Sequence, residues 1–180
     1  MTNLKKVTLL GLALFVAIVG LHGIAFAASS SVSHSVTVSV PSQISITADT
    51  TNFTLTMADF IAGSESDTKT VNYTVKANKV TAADGATVLK GQLNALFTGL
   101  DLKGDVGTYA STGGNSNLAE ATAGFITIGN TATDLAKKTV VSGSGQIIRG
   151  SLPITYKAFA TADLTAADQV KTLTLTFSET

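Results

Sequence analysis

Apolar and polar residues alternate with a period of two along several short stretches of this chain. The clearest runs are residues 31–40, where Val or His alternates with Ser or Thr, and residues 172–177, where Leu or Phe alternates with Thr. Successive side chains of a β-strand point to opposite faces, so such a run buries one face and exposes the other. Clusters of Gly, Asn, Asp and Ser separate the runs and are typical of turns. The pattern predicts an all-β chain folded as an antiparallel β-sandwich.

The same alternation predicts the positions of individual strands. We expect them at residues 31–40, 44–47, 52–57, 70–76, 100–102, 125–128, 139–141, 152–158 and 172–177. Helical patterns are short, and none of them is long enough to carry an all-α or α/β fold. They cover residues 87–96, 117–123 and 162–167. A segment rich in Gly, Ser and Asn, residues 105–123, predicts a long surface loop.

The first 27 residues have the pattern of a secretory signal peptide. Lys5 and Lys6 precede an apolar run over residues 7–27, which closes on Ala25-Phe26-Ala27, a small-x-small cleavage pattern. We expect cleavage after Ala27 and a secreted chain. An uncleaved membrane anchor is the alternative, although Gly and His residues dilute the run. No other apolar run reaches the ~20 residues of a membrane span, so we expect none after cleavage.

Composition excludes several kinds of chemistry. The chain has no Cys, which removes disulfides, thiolate metal sites and Cys nucleophiles. After residue 27 its only His is His34, which lies in phase with Val32 and Val36 and reads as a half-buried strand residue. Most acidic residues fall in predicted turns, where Asp usually bonds its own backbone. We expect no enzyme, no metal and no cofactor.

The charge pattern argues against nucleic acid as a partner. Charged residues make up only 13% of the chain, and Lys+Arg balance Asp+Glu at 12 each. Since Lys5 and Lys6 lie in the predicted leader, the exported part is slightly acidic. Binding to a phosphate backbone needs a basic stripe, which is lacking here.

The run over residues 31–40 is the most informative segment. It is long, regular and half apolar, and no charge, bulge or Pro interrupts it before Pro41. A free edge of this kind invites pairing and aggregation. The strand must therefore pair either within its own domain or with another copy, by β-strand addition. Burying four Val side chains contributes on the order of 6–12 kcal/mol at most, against roughly 1–2 kcal/mol per residue for ordering the strand.

The layout of the two ends resembles a known family. The matching motifs are Ser35–Val40, Pro41, Gln43–Thr47, Leu152–Ala158, Ala162–Ala166 and Thr172–Phe177, together with the absence of Cys. They resemble the major subunits of class 5 (colonisation-factor-antigen type) chaperone–usher fimbriae, or a related donor-strand-exchanging Ig-like pilin. The resemblance covers residues 31–57 and 147–178.

The resemblance implies an incomplete Ig-like sandwich over residues 42–180, preceded by a donor strand and Pro break over residues 28–41. The donor strand of one subunit would fill the groove of the next, head to tail, and so build an open fibre. The implied donor positions are Val32, His34, Val36, Val38 and Val40. The implied acceptor groove is lined by Ile44, Ile46, Leu173, Leu175 and Phe177.

The family also implies partners and a place in the cell. The subunit would pass through the periplasm, where a chaperone lends it a strand. An outer-membrane usher would then exchange that strand for the donor of another copy. The product would be a cell-surface fimbria that supports adhesion.

A second hypothesis is a monomeric secreted β-sandwich that binds a carbohydrate or a surface ligand, with residues 32–40 folded back as its own first strand. Carbohydrate sites usually need exposed aromatic residues, and the chain has no Trp and 3 Tyr. A secreted enzyme ranks last. Deleting residues 28–40 separates the first two hypotheses. A fibre subunit would then fold only with a supplied strand, whereas a self-contained sandwich would simply lose stability.

Overall fold

A computed structural model describes residues 32–80 and 83–178. The predicted signal peptide lies outside these residues. Contacts divide the chain into two units, with the boundary between Ser39 and Val40. In the first unit, the described residues 32–39 form no helix or strand. In the second, the described residues form ten strands and no helix.

The strands are short, apart from the ninth. They are β1 (Ile44–Ala48), β2 (Lys69–Ala77), β3 (Thr87–Leu93), β4 (Leu100–Val106), β5 (Ala110–Gly114), β6 (Ser116–Glu120), β7 (Ile126–Ile128), β8 (Thr133–Val140), β9 (Ile148–Ala160) and β10 (Leu173–Phe177). The described residues contain no helix that could cross a membrane.

The strands form two antiparallel sheets. The first has the order β1-β2-β9-β4-β7, and β5 also pairs with β9. The second has the order β10-β3-β8-β6. Every ladder between these strands is antiparallel. The predicted all-β antiparallel sandwich is therefore confirmed.

The centre of the first sheet is the pair β2 and β9. They are in register from Lys69 opposite Tyr156 to Ala77 opposite Ile148. Apolar side chains on alternate positions of both strands are buried, as the period of two requires. The largest fully covered side chains among them are Val71, Val75, Ile148, Leu152, Ile154 and Tyr156. The second sheet contributes Val88, Leu89, Leu93, Leu118, Leu135 and Phe177 to the same core.

The sandwich has two ends, which we name by residues in the first sheet. At the Pro41 end, β1 begins, β2 finishes at Ala77 and β9 begins. At the Ala160 end, β9 finishes and β4 begins. The loop 94–99 joins β3 to β4 at the Ala160 end, so β10 also begins there, because Leu173 pairs with Leu93. The strand β10 finishes at the Pro41 end.

Five local predictions are wrong, and the first is a strand. Residues 52–57 are not a strand, although Phe53 and Leu55 pack against the core. Thr56 bonds Asp67 through both its N–H and its C=O, and only Met57 forms a bridge, with Ser66. The alternation over residues 52–57 therefore predicted correctly which side chains face the core, but the strand pairing expected from it does not form.

The predicted helices at 87–96 and 117–123 are strands β3 and β6. A ten-residue helix is marginal by itself, whereas β3 pairs with β10 and β8, and β6 pairs with β8. No helix forms over 162–167 either. The segment 105–123, predicted as a loop, contains β5 and β6. The strand expected at 139–141 is the end of β8, which begins six residues earlier.

Candidate functional site

The strands β1 and β10 are edges of different sheets that lie side by side. In the described part of the chain, β1 pairs only with β2, and β10 pairs only with β3. Residues of β1 and β10 nevertheless approach within 8 Å, Cα to Cα. One side of the sandwich therefore presents two neighbouring strand edges, each with a row of backbone groups directed away from its only ladder.

Apolar side chains line this open side. The register with β2 places Ile44 opposite Ala77 and Ile46 opposite Val75, so both isoleucines are on the inward face of β1. We call the resulting surface the edge groove. Its residues are Ile44, Ile46, Leu173, Leu175 and Phe177, the five predicted acceptor positions.

The edge groove is only partly covered. Ile44, Ile46, Leu173 and Leu175 are half-buried and pack against the core, while Phe177 is buried. On the central strand β2, the inward residues Val71 and Val75 are fully covered. The groove is therefore an apolar surface that would gain burial from one more strand.

The predicted donor positions lie in the segment 32–40, which we call the N-terminal segment. It forms no strand in the single chain, and its four valines are 76–82% exposed. His34 is also exposed, not half-buried as its phase suggested, because no strand covers either face of the segment. The five donor positions are thus accessible side chains.

The chain immediately after this segment is fastened by Asn78, a residue that sequence reasoning missed. Its Nδ2 donates to the Pro41 carbonyl (2.8 Å), and its Oδ1 accepts from the Gln43 N–H (2.7 Å). The Asn78 N–H donates to the Gln43 carbonyl (3.1 Å). The only sequence signal was an Asn two residues after the predicted strand 70–76. These bonds fix where the N-terminal segment leaves the sandwich.

A tyrosine pair lies in the core under the first sheet. The hydroxyls of Tyr73 and Tyr156 are hydrogen-bonded at 2.9 Å, and Phe53 stacks on Tyr156 with ring centroids 5.0 Å apart. Burial raises the pKa of both hydroxyls, so both stay neutral. Each hydroxyl has the other as its partner, and the pair acts as a satisfied polar contact in the core.

A buried lysine lies on β8. Lys138 is fully covered, and its Nζ donates to the Gly145 carbonyl (2.7 Å), which also accepts from the Ser116 hydroxyl (2.8 Å). Burial lowers the pKa of Lys138, and the nearby Asp84 carboxylate opposes this. An irregular register between β3 and β8 buries both Leu135 and Ala136 and shifts the inward face onto Lys138. The arrangement fastens the loop 141–147 to β8.

A cavity of about 620 Å³ opens elsewhere on the sandwich. Its walls include the carboxylates Asp105 and Glu120, the amide Asn117 and the ring of Tyr109. Glu120 already accepts from the Gly124 N–H (3.3 Å). Among the described residues, no group of three or more His, Cys, Asp or Glu side chains is placed to hold a metal ion.

No protein-family model, no curated protein and no solved structure matches this chain.

Proposed function

We propose that this chain is a structural subunit of an extracellular fimbria and that it polymerises non-covalently by donor-strand exchange. The N-terminal segment of one copy enters the edge groove of the next copy and completes its sandwich. The observation that carries the proposal is that one chain has both a surface that lacks a strand and a segment that lacks a sheet. One is a half-covered apolar groove between two strand edges, and the other is an exposed segment with four alternating valines.

The two features match in chemistry and in spacing. Val or His at every second position puts the four valines and His34 on one face of an extended strand. The inward residues of β10 also recur at every second position, at Leu173, Leu175 and Phe177. The backbone of the inserted strand bonds the open edge of β10, while its valines cover the groove. Ladder bonds supply strength, and the side chains set the register.

Donor and groove are different surfaces, so each copy both gives and receives a strand. Such a head-to-tail contact produces an open fibre when the rotation between copies does not close into a ring. An empty groove exposes apolar surface before assembly. This favours a periplasmic chaperone that lends a strand and an outer-membrane usher that exchanges it. The signal-peptide pattern and the absence of Cys agree with export of a chain that needs no disulfide.

One observation favours a different function, a monomeric sandwich that binds a carbohydrate or a surface ligand. The cavity beside Asp105, Asn117 and Tyr109 has a volume within the range of small-molecule sites. In that case the N-terminal segment would be a tail or a first strand of its own domain.

Size-exclusion chromatography with electron microscopy of residues 28–180 tests the proposal. Filaments or a ladder of multimers are expected. Excess synthetic peptide covering residues 29–41 should cap them to small species. A matched peptide carrying Val36→Asp and Val38→Asp should cap nothing, because a charge in the groove is costly.

A second measurement uses the protein without residues 28–40. The 29–41 peptide should increase its free energy of unfolding, as any ligand of the folded state does, by about 2.7 kcal/mol at a concentration of a hundred times Kd. Its melting temperature should therefore rise with peptide concentration. A stable monomer that ignores the peptide in both experiments would contradict donor-strand exchange and favour the cavity-binding function.

A further inference from the structure

Exposed large apolar side chains of the sandwich gather at its two ends. Isolated exposed apolar residues are ordinary, but a grouped set is a candidate contact surface. The Ala160 end carries Phe60 (68% exposed), Ile61 (51%), Leu96 (56%) and Val170 (89%). The Pro41 end carries Val141 (63% exposed) and Ile147 (43%). Among the described residues outside the N-terminal segment, the one other exposed large apolar side chain is Phe125.

Hydrogen bonds between loops fix the group at the Ala160 end. The Leu164 N–H donates to the Phe60 carbonyl (2.7 Å), which ties the loop after Met57 to the β9–β10 connection. Gln169 bonds both backbone groups of Thr98, at 2.7 and 2.9 Å, and so ties the loop that bears Leu96 to the same connection. Three loops therefore present their apolar side chains on one braced surface.

A single residue, Asn115, fixes the pair at the Pro41 end. The Asn115 carbonyl accepts from the Val141 N–H (2.9 Å), and the Asn115 Oδ1 accepts from the Ile147 N–H (2.8 Å). Both ends of the loop 141–147 are thus held by one residue. Val141 and Ile147 are exposed although their backbone is anchored, which is typical of a contact surface and not of a frayed loop.

Strand direction determines which ends meet in a fibre. Every ladder in the described sheets is antiparallel, and antiparallel pairing is the more stable kind. An incoming strand antiparallel to β10 runs from the Pro41 end towards the Ala160 end of its acceptor. Its last residue, next to Pro41 of the donor copy, therefore emerges at the acceptor's Ala160 end. Asn78 holds that proline against the donor's own Pro41 end.

The opposite strand direction does not propagate. A parallel insertion would bring the donor copy to the acceptor's Pro41 end, where the acceptor's own N-terminal segment leaves to reach its next neighbour. The donor copy and the next neighbour would then both occupy the acceptor's Pro41 end, and the Ala160 end would have no neighbour. The antiparallel direction gives each end one neighbour.

We propose that consecutive copies also bind each other directly, end to end, through Phe60, Ile61, Leu96 and Val170 of one copy and Val141 and Ile147 of the next. This interface rests on the proposed donor-strand function and adds a second contact to it. It covers apolar surface that the donor strand itself does not reach. It would also restrict rotation between subunits, because two separate contacts define an orientation better than one strand does.

Cysteine cross-linking tests the interface, since the natural chain has no Cys. The Leu96→Cys/Val141→Cys double variant of residues 28–180 is assembled and treated with a short bismaleimide. On a denaturing gel we expect a ladder of covalent multimers. Leu96→Cys alone and Val141→Cys alone are matched controls that should remain monomers on the gel. In the proposed fibre an Ala160 end always meets a Pro41 end, so a single variant never brings two cysteines together. Phe125→Cys reports random collisions.

The outcomes separate this inference from the proposed function. Fibres seen by electron microscopy without a ladder would overturn the end-to-end contact and leave donor-strand exchange standing. Dimers from Val141→Cys alone would show that two Pro41 ends meet and would also overturn it. If the natural chain forms no fibres at all, the proposed function fails, and the interface fails with it.

A variant without cysteine gives an independent readout. Leu96→Ser/Val141→Ser should lower the temperature at which fibres fall apart, while monomer stability stays unchanged because both side chains are exposed. Phe125→Ser is the control. Equal dissociation temperatures for the natural fibre and the double variant would contradict the interface.

Discussion

Residues 32–40 and residues 69–77 have the same alternation of apolar and polar side chains, yet their burial is opposite. In the second segment, β2, Val71 and Val75 are at most 1% exposed. In the N-terminal segment, Val36 and Val38 are at least 80% exposed. The difference lies in the neighbours, because β2 has β1 on one side and β9 on the other. Alternation therefore shows that a segment can pair, and not that it has a partner.

The strand β10 is intermediate between these two segments. It has a single neighbour, β3, and its inward residues Leu173 and Leu175 are half-buried. Across the three segments, burial rises with the number of paired strands, from none to one to two. A segment with no partner and an edge with one partner are together what a completing strand requires.

The largest effect should come from placing the same charge in the two alternating segments. Val75→Asp buries an unpaired carboxylate in the core, and we expect a loss of about 3–5 kcal/mol or failure to fold. Val38→Asp should change the stability of the monomer by less than about 0.5 kcal/mol but prevent fibre growth. Urea unfolding of the peptide-capped monomer, together with electron microscopy, measures both. Equal losses of stability would contradict the contrast between the segments.

A leucine pair compares the centre with the edge. Leu152→Ala on β9 removes a fully covered side chain and should cost about 2–5 kcal/mol. Leu175→Ala on β10 should cost less than about 2 kcal/mol, because the side chain is only half-buried. Adding the 29–41 peptide should increase the second loss and leave the first unchanged. An unchanged cost at Leu175 would argue against strand insertion beside β10.

Variants of the tyrosine pair measure how much the buried hydrogen bond between Tyr73 and Tyr156 contributes to stability. Tyr156→Phe leaves the buried Tyr73 hydroxyl without its 2.9 Å partner. We expect a loss of roughly 1–3 kcal/mol. The Tyr73→Phe/Tyr156→Phe double variant should lose less than the sum of the two single variants. Strictly additive losses would mean that the two hydroxyls act independently.

The buried tyrosines should make stability depend on pH in alkali. The folded pKa of Tyr73 and Tyr156 lies above that of an unfolded tyrosine, about 10. Burial likewise raises the pKa of Tyr109 to about 12. Stability from these groups is complete below pH about 10 and declines above it, because the unfolded state loses its protons first. Urea midpoints across this range should fall less steeply for the Tyr73→Phe/Tyr156→Phe variant, and identical slopes would contradict the assignment.

Much of the architecture was readable in the sequence. The alternating runs at residues 44–47, 70–76, 152–158 and 172–177 correspond to β1, β2, β9 and β10. These are the strands that form the centre of the first sheet and both edges of the groove. Local alternation predicts them because the period of two directly expresses one buried face.

The sequence was a poor guide where a neighbour decides the conformation. Residues 87–93 and 116–120 have weak patterns, and they become β3 and β6 because β8 supplies a ladder to both. Lys138 was not predicted as a buried residue, since only the irregular register between β3 and β8 turns it inward. Asn78 was missed for the same reason, because its partners Pro41 and Gln43 lie more than thirty residues away.

The sequence by itself determined that this chain makes antiparallel strands, which residues share a face, and that residues 32–40 are capable of forming one more strand. Only the tertiary structure decided which strands lie at the edges, that β1 and β10 lie side by side, and which end of the sandwich each loop occupies. The reason is physical. Alternation is a property of a few adjacent residues, whereas an edge exists only after every other strand has taken its place in the sheet.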